Sequence, residues 1–283
     1  MFLKKKFINI VQRIISYRHS YLVSLASLFP ILISTFLFRS FLYEPFQIPS
    51  GSMIPSLLVG DFILVKKFSY RLINPIDQST IFRIQEPRRG DIVVFKYPLD
   101  SKINFVKRII GIPGDKVIYD CRQKELKIFS NYLNDLQKTY IPVDYSVKKE
   151  SEWTLFMDDM FSQKKQSHRR ISIYDQTPKY SLRQEERVEK IGQRKGYTIL
   201  SIPGIYTESH YKQRYMSKNQ WIVPKRSYFV MGDNRDNSSD SRSWGLISED
   251  DLIGKVTMVW FSLNKVEHQW PTGIRFERIG KVY

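Results

Sequence analysis

Cysteine is nearly missing from this chain: Cys121 is the only one in 283 residues. No intrachain disulfide can form, and no cysteine-based metal site. Histidine is sparse as well, at four (His19, His168, His210 and His268). None lies in a strand-and-turn context, so a Ser-His-Asp triad has no local support. Acidic charge is also short, with 28 Asp and Glu against 45 Lys and Arg and a formal net charge of +17. That surplus calls for an anionic partner, either nucleic acid or phospholipid headgroups. There is no zinc-ligand spacing, RNP-like aromatic pattern or heptad-tailed basic region. Anionic membrane lipids are therefore the expected partner, and nucleic acid is not. Beyond Cys121, simple compositional drift towards lysine and arginine explains the charge equally well.

What is present begins with an uncharged run. Tyr21 to Phe38 reads YLVSLASLFPILISTFLF, eighteen residues without a charge. Roughly 17–25 apolar residues span a bilayer, and Pro30 is tolerated inside such a helix. The run is longer than a cleavable signal's apolar core and no A-x-A-like site follows it, so an uncleaved anchor over 21–42 is expected. Lys4, Lys5, Lys6, Arg13 and Arg18 precede it, whereas only Arg39 lies close behind. The positive-inside rule leaves the basic segment 1–20 cytoplasmic and sends the rest across, single-pass. Residues 5–17 repeat apolar side chains at roughly helical spacing, which fits a surface helix or a frayed polar tail equally well.

After the anchor, Val59-Gly60-Asp61, Arg89-Gly90-Asp91 and Pro113-Gly114-Asp115 each precede a β-branched or aromatic run. Strands punctuated by Gly-Asp turns predict a mainly β fold. The pattern loosens over 119–220, where Ser181 to Ile191 reads as a helix-like charged patch. Order returns at Trp221, with strands expected over Tyr228–Met231, Lys255–Phe261 and Ile274–Ile279. The expected organisation is a β-rich core from 43–118 and 221–283, interrupted by a second α/β or β subdomain over 119–220.

Three stretches carry possible chemistry. In Gln47-Ile48-Pro49-Ser50-Gly51-Ser52-Met53-Ile54-Pro55-Ser56-Leu57 two prolines stiffen a turn around Gly51. Such a turn presents a serine as a nucleophile would be presented, and it is also what any ordinary turn looks like. Lysine is the alternative base to histidine, if an apolar setting strips its proton. In Asn104-Phe105-Val106-Lys107-Arg108-Ile109-Ile110-Gly111, strand alternation groups Lys107 with Phe105 and Ile109, and Arg108 with Val106 and Ile110. Periodicity does not say which face is inward, but arginine does not deprotonate, so only Lys107 qualifies as a base. The third stretch, Met231 to Gly245, is dense in carboxylates and amides but lacks the glycine and glutamate of a calcium loop. Asp240 and Arg242 are placed to form a buttressing ion pair, and Ser238 could accept a hydrogen bond from a lysine.

Together these stretches resemble type I signal peptidase (leader peptidase), a membrane-bound Ser-Lys serine protease family. The resemblance rests on FRSFLYEPFQIPSGSMIPSLLVGDFILV, RGDIVVFKYP, VKRIIGIPGDKV, MGDNRDNSSDSRSWG and WPTGIR. It implies Ser52 as nucleophile, Lys107 as general base, and an oxyanion hole from the Ser52 N–H and the Ser50 hydroxyl. Ser238 would orient the lysine, and Asp240 with Arg242 would brace the loop. Ile48, Met53, Leu57, Phe105 and Val106 match positions lining shallow substrate pockets. The implied reaction is removal of signal peptides from exported preproteins with small residues at −1 and −3. It needs no metal or cofactor. A monomer in the bacterial inner membrane is expected, its catalytic part on the periplasmic side. The family's Gram-negative form has two membrane helices and often a disulfide in its inserted domain; one anchor and one cysteine are seen here.

Overall fold

A computed structural model describes residues 27–34, 42–73, 80–132, 134, 137–157, 166–170, 181–206, 208–265 and 270–282. The basic segment 1–20 and most of the expected anchor lie outside the described residues. Residues 27–34 are helical and exposed, and no helix among the described residues is long and apolar enough to cross a membrane.

The chain is mainly β. A nine-stranded antiparallel sheet runs in the order Tyr43–Gln47, Asp61–Lys66, Leu252–Asn264, Ile92–Tyr97, Asp100–Gly111, Ser227–Met231 and Ile247–Ser248. Gly273–Ile274 and Gly280–Lys281 also pair with the long Leu252–Asn264 strand. Strands from both halves of the chain therefore interleave in one sheet. A four-stranded sheet is ordered Gln220–Ile222, Lys116–Asp120, Glu125–Ser130 and Thr139–Ile141. A five-stranded sheet is built on Ser181–Ile191, which pairs with Val143–Tyr145, Lys149–Met157 and Tyr197–Ser201. One buried apolar cluster draws on these three sheets, with Ile110 and Met231 from the first, Val117 and Trp221 from the second, and Ile191 and Ile199 from the third.

The Gly-Asp turns are one device used three times. Gly60, Gly90 and Gly114 have φ of 88°, 88° and 90°, a conformation open to glycine. Each following aspartate folds back on the residue three before it. Leu58, Arg88 and Ile112 N–H donate to Asp61, Asp91 and Asp115 carboxylates at 2.8, 3.1 and 2.9 Å. The buried carboxylates are then charge-paired, Asp61 with Arg278, Asp91 with Lys255 and Asp115 with Arg89. Buried ions require such partners.

Two sequence expectations fail here. Ser181–Ile191 is a strand, not a helix, and buries Gln184, Arg187 and Glu189. Its polar residues read as a helix-like charged patch because their partners lie far off in sequence. Arg187 pairs with Glu125 and Glu189 with Arg235. Ile274–Ile279 is not one strand either: Gly273–Ile274 pairs, and Phe276–Arg278 then turns as a 3-10 helix. Arg275 and Arg278 both reach Asp61, at 3.5 and 2.8 Å. Residues three apart face opposite ways on a strand but the same way on a 3-10 turn.

Candidate active site

The serine turn folds as a 3-10 helix over Gly51–Met53, entered from an extended Ser50 and left through a cis Ile54–Pro55 peptide. Ile48, Met53 and Leu57 anchor it in a buried cluster with Ile63, Val65, Ile92 and Val94. Ser52 is thus held on a turn whose apolar flanks are fixed, with its own side chain only half-buried.

Lys107 approaches from the Asp100–Gly111 strand, where its cross-strand partner is Val93. Its amine lies 2.6 Å from the Ser52 hydroxyl oxygen, across fifty-five residues of sequence. The side chain is 4 % exposed and its nitrogen stands 5.4 Å from the centre of the Phe105 ring. Burial pushes its pKa down to about 8, although Asp240 and Asp233 nearby pull it back up. Charge on this amine is costly in the apolar surroundings, so the neutral form is within reach near neutral pH. Both faces of this strand end are buried, which resolves the choice periodicity left open. Arg108, on the other face, donates to Asp233 through Nε at 2.8 Å and Nη2 at 2.7 Å and lies over the Tyr197 ring.

The third stretch closes over the pair. Asp240 caps the one-turn helix Ser241–Trp244, accepting from Arg242 N–H at 3.2 Å. It also accepts from Arg242 Nε and Nη2 at 2.8 and 2.7 Å and from Gly232 N–H at 3.1 Å. Burial raises the Asp240 pKa, but Arg242 outweighs it and the net shift is downward. A Cβ at Gly232 would come within 2.5 Å of the Ser52 carbonyl oxygen and would also collide with Ser238 Oγ. Only glycine lets the loop press this close. Ser238 Oγ is buried here without a hydrogen-bond partner among the described residues. Ser50 is exposed at the mouth of the site.

A cleft of about 590 Å³ opens from the pair, walled by Ile48, Met53, Phe105 and Val106 and flanked by Ser50 and Ser52. Leu57 does not line it, being fully buried in the core beneath. Among the described residues no cluster of metal-ligating side chains occurs. Sequence reasoning assigned no role to Asn234. Its N–H donates to the Ser52 carbonyl at 3.1 Å and its Nδ2 to the Gly51 carbonyl at 3.2 Å. It stood in view inside the polar loop, but nothing in the spacing tied it to a turn 183 residues earlier.

The comparisons with known proteins agree with one another. The family model described as signal peptidase, peptidase S26, matches residues 21–261. The signal peptidase I of Buchnera aphidicola subsp. Schizaphis graminum is 46% identical over 263 residues, covering 92% of this chain and 81% of that protein. That of Buchnera aphidicola subsp. Acyrthosiphon pisum is 46% identical over 266 residues, covering 93% and 82%. The signal peptidase I of Haemophilus influenzae is 37% identical over 282 residues, covering 90% and 73%.

Proposed function

The chain belongs to the signal peptidase family of peptidase S26 and is a signal peptidase enzyme, and on that premise we propose that it works through a Ser52–Lys107 dyad and an acyl-enzyme. The observation that carries the reading is the 2.6 Å approach of a buried amine to a serine on a stiff turn. Neutral Lys107 takes the Ser52 hydroxyl proton as Oγ attacks the scissile carbonyl. The ammonium then returns a proton to the departing amine, and the freed lysine activates the water that hydrolyses the ester.

Charge develops on the carbonyl oxygen during attack. The Ser52 N–H, in the first turn of a 3-10 helix, and the Ser50 hydroxyl are its proposed donors. Apolar walls at Ile48, Met53, Phe105 and Val106 suit short side chains of an extended substrate, in line with preproteins carrying small residues before the cut. Ser238, close to the dyad with an uncommitted hydroxyl, is proposed to hold the lysine as substrate enters. Asp240 and Arg242 keep the loop in place. The uncharged run at 21–38 and the basic residues before it support a single-pass anchor, with catalysis on the far side of the bacterial inner membrane.

Cleavage of a preprotein in detergent by the parent and by Ser52→Ala, side by side, tests the reading. The parent releases a mature protein with the new N-terminus after a small residue, read by mass spectrometry. Ser52→Ala is expected to release none; turnover near the parent's would overturn the dyad.

A further inference from the structure

The middle of the chain, residues 119–220, had no role in the sequence. It touches the serine turn in two independent ways. Trp153 and Leu200, on the five-stranded sheet, pack with Ile54 and Leu58 of the turn in one buried cluster. The second contact is polar. Gln184 Nε2 donates to Asn234 Oδ1 at 2.8 Å, while Asn234 Nδ2 and N–H hold the Gly51 and Ser52 carbonyls. Gln184 lies where the pairing of Ser181–Ile191 with Lys149–Met157 slips, opposite the irregularity between Glu150 and Thr154.

Gln184 is an unpromising residue for stability alone. It is 1 % exposed, yet its Oε1 has no hydrogen-bond partner among the described residues. A buried amide satisfied on one side only carries a cost in stability. What it supplies is orientation. An asparagine amide can sit either way round, and a donor on Oδ1 fixes Nδ2 towards the turn.

Resting on the proposed dyad, we infer that Gln184 is a positioning residue for it. It acts through Asn234 to set the carbonyls of Gly51 and Ser52, and with them the reach from Ser52 Oγ to Lys107. The five-stranded sheet is thus the back wall of the nucleophile's turn. Small displacements of reacting groups are expensive in rate, on the order of a hundredfold for 1 Å, while ground-state binding in the cleft depends on other residues.

The test is a kinetic cycle on the full chain with a preprotein substrate, using Gln184→Met, Asn234→Ala, the double variant and Asn234→Asp. Gln184→Met keeps the size and loses the donor. It is expected to unfold somewhat below the parent's temperature, because the buried Asn234 Oδ1 loses its donor, yet to stay folded under assay conditions, to lower kcat roughly ten- to a hundredfold, and to leave KM within about twofold. In the Asn234→Ala background the same change is expected to cost nothing further, because its route to Ser52 is already cut. Asn234→Asp, which loses the Nδ2 donor, is expected to match the kcat loss with KM again unmoved. An unchanged kcat in Gln184→Met, a loss that adds in full to that of Asn234→Ala, or a loss that follows unfolding would each overturn the inference. Ser52→Ala runs alongside. Turnover in that variant removes the dyad reading and this inference with it, whereas an inactive Ser52→Ala beside a fully active Gln184→Met removes the inference alone.

Discussion

Arg108 and Asp233 form a two-pronged ion pair that is almost wholly out of water, one residue along the strand from Lys107. Among the described residues it is one of four buried pairs that use the segment between Asp233 and Arg242, the others joining Arg235 to Glu189, Asp236 to Lys124 and Arg242 to Asp240. Taking ions out of water costs about as much as their attraction returns, so such pairs are weak evidence of stability but severe to break. Arg108→Met strands the Asp233 carboxylate. A loss of about 3–5 kcal/mol is expected by urea unfolding, and Arg108→Met with Asp233→Leu should recover a large part of it.

On the proposed dyad, the pH dependence of cleavage follows from an amine that must be uncharged. With a pKa of about 8, the neutral fraction of Lys107 rises with pH through that value. At pH 6 only about 1% would be neutral. We expect kcat/KM to climb about tenfold per pH unit below 8 and to level off above it. A midpoint at the ordinary lysine value would show that the site does not depress the amine.

Stability runs against activity at the same residue. The folded state holds fewer protons on Lys107 than the unfolded state between pH 8 and the ordinary 10.5. The cost of burying the charge is therefore full below 8 and gone above 10.5. Lys107→Met should be inactive yet more stable than the parent at pH 6–7, by on the order of 3 kcal/mol. Thermal unfolding at several pH values reads this, with the gap closing as pH rises.

Asp240 holds Lys107's pKa up even as burial drives it down. Asp240→Asn removes that attraction and leaves the Arg242 charge less compensated, and both changes disfavour the ammonium. The acid limb of the pH profile is expected to move below 8. Stability should fall too, because Arg242 loses its ionic partner. An acid limb that stays put or moves upward would contradict this electrostatic account.

Local chemistry was legible in the sequence and distant partnership was not. Gly60, Gly90 and Gly114 marked turns because only glycine takes that φ readily, and the strands after them followed. Ser52 and Lys107 stood out because each had unusual neighbours, a stiffened turn for one and a strand of apolar residues for the other. Leu57 looked like a pocket residue but went to the core, since position on a turn does not reveal which side chains remain outside. The strand Ser181–Ile191 was unreadable for another reason. Gln184 and Glu189 are buried only because Asn234 and Arg235 meet them from 50 and 46 residues away. No window on one sequence contains both ends of such a pair.

The contacts from Asn234 back to Gly51 and Ser52 set a schedule for biosynthesis. A ribosome delivers the nucleophile early and the residue that clasps it nearly two hundred positions later. Until that arrives the Gly51 and Ser52 carbonyls lack the donors that hold them in the folded chain, so the final seating of the turn waits on the late part of synthesis.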